Sequence, residues 1–147
     1  MERSFGVIPF VRLKDEIKFL LIQHLGGHWA FPKGHADPGE EGKPLVTALR
    51  EFEEETGIES SACTLKPGWG SFSEFYSFKR KGVLREKESK YFLGEVDSIE
   101  VAVNVQASEI ETYCWAGKEE AMKILTFEDS KLMLEKAHEA ILKNVTN

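Results

Sequence analysis

The sequence predicts an α/β (α+β) layered domain, with helices packed on a mixed β-sheet. Two observations point there first. Runs rich in β-branched and aromatic residues recur on both sides of one amphipathic segment at 44–56, and two further helical patterns close the chain. The order is therefore strands, helix, strands, two helices. A third observation is negative: neither an internal repeat nor a low-complexity linker interrupts it.

The elements follow in order. "FGVIPFVRL", residues 5–13, reads as a strand, and Pro9 places it at an edge or a bulge because proline cannot donate to a ladder. "IKFLLIQH", residues 17–24, is a nearly continuous apolar run, as expected of a central strand covered on both faces. Gly26-Gly27 turns the chain. The loop from Phe31 to Lys43 carries Pro32, Gly34, Pro38, Gly39 and Gly42. Pro44 then suits the first turn of a helix, where its missing N–H is not needed. Leu45, Ala48, Leu49 and Phe52 form one buried stripe, and Gly57 sits where a C-terminal glycine cap belongs. "SFSEFYSFKR" and "SKYFLGEV" read as two strands joined by a basic loop, 79–88. "IETYCWA" is a further strand and "KEEAMKIL" a short helix. From Ser130 to Val145, Leu134, Ala137, Ile141 and Val145 share one side of a last helix.

Composition sets the outer limits. The 147 residues fit one domain spanning 1–147, and 41% hydrophobic residues are enough for a core. A net charge of −6 argues against non-specific attraction to nucleic acid or an anionic membrane. Basic residues nevertheless gather at Lys79, Arg80, Lys81, Arg85, Lys87 and Lys90. Cys63 and Cys114 lie in no paired motif and read as buried free thiols in a reducing compartment. "MERSFGVIPFVRLKDE" has no long apolar run, so neither a signal peptide nor a membrane span is expected, and the expected location is cytoplasmic.

The chemistry concentrates in 31–59. Glu51, Glu53, Glu54 and Glu55 fall within five positions. At about 100° per residue, Glu51, Glu54 and Glu55 occupy roughly a 100° arc beside the apolar stripe, and Glu53 points elsewhere. Arg50 is placed to pair with Glu54. A solvated acidic face is the simplest reading of such a helix. Against it, the pairs 51/54 and 51/55 each destabilise an isolated helix by about 0.2–0.5 kcal/mol. Hard divalent cations among those oxygens remove the repulsion. The preceding loop supplies a cation, Lys33, and glycines that let backbone groups approach an anion. Carboxylates beside a cationic loop suggest a metal–phosphate site.

These residues resemble the box of the Nudix hydrolases, written G-x5-E-x7-R-E-U-x-E-E-x-G-U with U apolar. Arg50, Glu51, Phe52, Glu54, Glu55, Gly57 and Ile58 match its second half, and Gly34 and Glu40 its first. One departure stands out: nine residues, "EGKPLVTAL", separate Glu40 from Arg50 where the pattern has seven, so counting back from the helix puts Gly42 in the glutamate position. "HWAFPKGHADPGE", "FYSF" with "KYFLGEV", and "ASEIETYCWAGKEEAMKI" further resemble segments of the asymmetric diadenosine tetraphosphate (Ap4A) hydrolases within that family.

The resemblance implies a Nudix-type α/β/α sandwich and metal-dependent hydrolysis of a nucleoside polyphosphate, with Ap4A split into ATP and AMP. It implies Mg²⁺ or Mn²⁺, two or more ions, held by Glu51, Glu54, Glu55, Glu109 and the carbonyl of Gly34. Arg50 would orient the glutamates. Glu109 would bind an additional metal or assist the water, and either Glu51 or Glu109 would take its proton. Lys33, His35 and Lys90 would contact the polyphosphate, and Tyr76 and Phe127 would clamp a base. His24, His28 and His138 receive no role. The expected partner is a small nucleotide, with no membrane, no extended nucleic acid and a monomeric state. The rival readings are an RNA 5′-pyrophosphohydrolase or nucleoside triphosphate pyrophosphatase of the same family, or a catalytically weak nucleotide-binding module.

Overall fold

A computed structural model describes residues 2–145. Its centre is strand β1, Glu2–Arg12. β1 runs parallel to β7, Val83–Val96, with Glu2 opposite Lys87 and Phe10 opposite Glu95. On its other flank it pairs antiparallel first with β4, Lys33–Gly34, and then with β2, Ile17–His24. β2 also carries β3, Trp29–Ala30, and β8, Ile110–Gly117. β5, Cys63–Leu65, and β6, Ser71–Arg80, extend the sheet from β7. The sheet is thus mixed, as expected.

Strand alternation sends neighbouring side chains to opposite faces, and each face has its own core. Ile8, Phe10, Phe19, Leu21, Tyr91 and Leu93 pack on α2, Lys118–Ile124, and α3, Glu128–Val145. Val7, Val11, Leu20 and Phe92 pack on α1, Pro44–Thr56. Helices therefore cover both faces, giving the α/β/α sandwich. Ala48 and Phe52 are fully buried on α1, whereas Leu45 and Leu49 are only partly buried. Truncating Phe52 to Ala would cost about 3–5 kcal/mol.

Pro44 opens α1 and Gly57 closes it in the left-handed conformation (φ 72°), its N–H donating to the Glu53 carbonyl. On the last helix Leu134, Ala137 and Ile141 are buried and Val145 is partly so. α3 starts at Glu128, two residues before the predicted start, and Glu128 and Asp129 complement its positive N-terminal end. Cys63 is buried, Cys114 is half-buried, and both are free thiols. No helix among the described residues is long and apolar enough to cross a membrane.

Two expectations are corrected. Pro9 is neither at an edge nor in a bulge: it lies opposite Gly94 inside the ladder. Val7, two residues earlier, donates its N–H to Pro32 on the β4/β2 flank. Pro9 nitrogen faces the same flank, in the gap where β1 has left β4 and has not yet met β2. The basic segment 79–88 is not a loop. β6 and β7 run as one ribbon to a turn at Lys81 and Gly82 (φ 52° and 78°), a left-handed pair that suits a tight hairpin.

Candidate active site

α1 carries the acidic cluster to the sheet. Glu55 is 3% exposed, and its Oε1 accepts the Lys33 backbone N–H at 2.8 Å. Glu51 lies against Gly34, so closely that a Cβ added to Gly34 would overlap its carboxylate. Glu54 faces outward. Arg50 Nη1 donates to Glu51 Oε1 at 2.9 Å and to Glu54 Oε1 at 3.0 Å. Glu53 does point elsewhere, accepting the Ser60 N–H.

The other side of Arg50 settles the loop. Its Nε donates to Glu40 Oε2 at 2.8 Å, and its Nη2 donates to Glu40 Oε1 and to the His35 carbonyl. Thr47 and the Asp37 N–H also donate to Glu40. The two extra residues bulge outward: Gly42 is exposed at φ 73° with open space around its Cα. Glu40, and not the residue at position 42, therefore takes the glutamate's place against the arginine.

Electrostatics follow from burial and partners. Burial pushes the Glu55 carboxyl up to about 8, against the Lys33 N–H bond, and repulsion from Glu51 and Glu109 adds to the rise. Burial also raises Glu51, which Arg50 opposes. The Arg50 hydrogen bonds hold Glu40 down at about 2.

A cleft of about 490 Å³ opens beside this cluster, lined by His24, His28, Lys33, Glu74, Tyr76, Phe127 and Asp129 among others. His24 and His28 stack at 4.2 Å between ring centroids, and the Phe127 ring lies 5.7 Å from His28. Burial lowers His24 to about 4, so this imidazole is neutral near pH 7. A more open hollow of about 660 Å³ near Lys14 and His138 contains none of the predicted site residues.

Of the predicted residues, Lys33, Tyr76 and Phe127 meet in the cleft. Arg50, Glu51, Glu54, Glu55 and Gly34 meet at the helix. Glu109 is exposed in the loop before β8, its carbonyl accepting the Leu25 N–H, and its charge reaches Glu55. Two residues lie apart. Lys90 neighbours Tyr91 in β7 and so faces α1, in a separate hollow with Arg3, Glu40 and Lys43. His35 is exposed, its Nδ1 3.2 Å from the Arg3 carbonyl. Glu74, His24, His28 and Asp129 were not foreseen. Glu74 left one signal: it shares a strand face with Tyr76.

The NUDIX domain pattern matches residues 2–137. The chain belongs to the Nudix hydrolase family. The asymmetrical bis(5′-nucleosyl)-tetraphosphatase of Rattus norvegicus is 38% identical, with 93% of each chain covered. Its Caenorhabditis elegans counterpart is 31% identical, over 91% of this chain and 92% of that one. A crystal structure of a C. elegans Ap4A hydrolase binary complex superposes with a TM-score of 0.80 at 29% identity, covering 98% of this Nudix chain and 99% of that one.

Nudix hydrolases use divalent metal ions. The donors on α1 fit one. Hard carboxylate oxygens crowd there at a cost in burial and mutual repulsion that a cation removes, and Gly34 leaves the room a side chain would fill. Among the described residues no three acidic, histidine or cysteine side chains already converge at ligand spacing. Arg50 and the Lys33 N–H divide the carboxylates among them instead.

Proposed function

We propose that this Nudix hydrolase cleaves Ap4A asymmetrically into ATP and AMP; the names of its relatives, asymmetrical bis(5′-nucleosyl)-tetraphosphatase and Ap4A hydrolase, support the reading. The observation that carries the reading is the position of Lys33. Its backbone N–H is bonded to Glu55 on the metal helix, while the residue also lines the cleft of Tyr76 and Phe127. One residue thus joins a carboxylate cluster to an aromatic cleft, as a ligand with a phosphate chain and a flat base requires.

The roles follow. Glu51, Glu54, Glu55 and the Gly34 carbonyl would hold Mg²⁺ or Mn²⁺, two or more ions, with Glu109 as a further ligand from its loop. Once bound, such ions would supply charge neutralisation at the phosphates and a more acidic water. Arg50 orients Glu51 and Glu54 and is itself held by Glu40. The Lys33 ammonium offsets phosphate charge, and Tyr76 and Phe127 flank the base. His35 and Lys90 lie outside the cleft and contact only an extended part of the phosphate chain. Water adds to one phosphorus, the P–O–P bond breaks, and the anhydride oxygen leaves with the other nucleotide.

Product analysis tests the reading. Ap4A, triphosphorylated RNA and nucleoside triphosphates are each incubated with enzyme and Mg²⁺. Equal amounts of ATP and AMP from Ap4A, at the highest kcat/KM of the panel, are expected. Two ADP molecules, or a wide preference for triphosphorylated RNA, would overturn it.

A further inference from the structure

Glu74, Glu128 and Asp129 bring carboxylates into the cleft that phosphate binding does not explain, and Glu74 is the one clamped by two buried hydroxyls. It lines the cleft with Tyr76, Phe127 and Lys33. A carboxylate repels phosphate, so its use in such a cleft is to accept hydrogen bonds from the ligand. A nucleoside offers donors on its base and its ribose. Glu74 and Tyr76 are two residues apart on β6 and share one face, with side chains roughly 7 Å apart. A ring stacked on Tyr76 therefore turns an edge toward Glu74.

The carboxylate is held in place from two directions. Tyr91 Oη donates to Glu74 Oε1 and Ser130 Oγ donates to Oε2, each at 3.1 Å. Tyr91 is fully buried and Ser130 is 2% exposed. Strand β6, strand β7 and the first turn of α3 together set its orientation. Each oxygen keeps a lone pair for a further donor. Burial raises the carboxyl, and the two hydroxyl bonds oppose that rise by favouring the charged acceptor.

We propose that Glu74 is a specificity-determining residue that accepts a hydrogen bond from the 6-amino group of an adenine stacked on Tyr76. The inference rests on the nucleotide reading of the cleft. A site built around such a bond rejects the analogue that lacks the donor, because the acceptor is then left unpaired. The simple alternative is that Glu74 only ties α3 to the sheet. In that case its loss lowers stability and affects all ligands alike.

The test compares ATP with purine riboside 5′-triphosphate, which carries hydrogen in place of the amino group, by Kd with Mg²⁺. The wild type is expected to bind ATP at least tenfold more tightly. Glu74→Ala should bring the two Kd values within threefold of each other, with thermal melting used to confirm folding. Should that variant not fold, Glu74→Met keeps the side-chain volume and offers no oxygen acceptor, and the ratio must then fall. Equal wild-type affinities would overturn the proposal, and so would an unchanged ratio in a folded variant. Neither result requires turnover. Loss of the hydrolase reading would appear separately, as failure to cleave Ap4A.

Discussion

Glu40 grips Arg50 with two hydrogen bonds, Nε to Oε2 at 2.8 Å and Nη2 to Oε1 at 3.0 Å. The same guanidinium holds Glu51 and Glu54. Glu40 thus acts on the acidic cluster at one remove. Glu40→Gln breaks the charge match, and partners that orient metal ligands typically contribute 10- to 100-fold. A fall of about that size in kcat/KM is expected, with a higher Mg²⁺ concentration needed for half-maximal activity. Wild-type kinetics in this variant would show that Arg50 needs no second anchor.

The same pair should appear in acid stability. The Glu40 pKa falls from 4.5 in the free side chain to about 2 when folded. Its contribution is therefore complete above pH 4.5 and is lost as the pH falls toward 2. The difference in Tm between wild type and Glu40→Gln should shrink across that window. A difference independent of pH would assign the effect to packing alone.

Gly34→Ala probes the contact with Glu51. The added methyl overlaps the Glu51 carboxylate, but that group is the flexible end of a side chain and can swing away. Stability should change by no more than about 1 kcal/mol. Metal affinity, read by titration with Mn²⁺, should fall by about tenfold or more, because a displaced Glu51 leaves the site.

Glu55→Gln should have opposite effects with and without metal. The amide keeps the acceptor for the Lys33 N–H and cannot ionise, whereas the Glu55 carboxyl, raised from 4.5 to about 8 by burial and by Glu51 and Glu109, costs the wild type stability as the pH rises through that window. With chelator present, Tm should rise. With Mg²⁺ the wild type should gain more, since an ion that binds only the folded state stabilises it by mass action. Turnover of Ap4A should fall by orders of magnitude. An equal Mg²⁺ shift in both proteins would place the ions elsewhere.

What was legible in the sequence was local. Pro44, the stripe through Ala48 and Phe52, and the Gly57 cap lie within fourteen positions, and each acts within a turn or two of helix. The ribbon was hidden because "VLREKESK" is charged, and only pairing with β6 makes it a strand. Glu40 was ambiguous because residue counting cannot see a loop bulge outward at Gly42 and return. Beyond its shared face with Tyr76, Glu74 was hard to read for a different reason: its partners, Tyr91 and Ser130, come from β7 and α3. The sheet face that Lys90 takes was legible. Lys90 is adjacent to Tyr91, and neighbours in a strand face opposite ways.

The aromatic pair offers the test of the substrate. Tyr76 is 40% exposed and Phe127 is 52% exposed, so neither is a core residue, and truncation should leave Tm nearly unchanged. Both line the cleft with Lys33. If they clamp the base, each ring contributes about 1–3 kcal/mol of stacking. Tyr76→Ala and Phe127→Ala should then each raise KM for Ap4A by roughly tenfold or more. Because stacking on the base is the same in the ground state and the transition state, kcat should move much less. Hydrolysis of a short inorganic polyphosphate, if the enzyme accepts one, should be indifferent to both changes, since it offers no ring to stack. A fall in kcat at constant KM would place these residues with the chemistry instead. Normal KM and kcat for Ap4A in both variants would remove the base from this cleft, while leaving the proposed role of the carboxylates on α1 untouched.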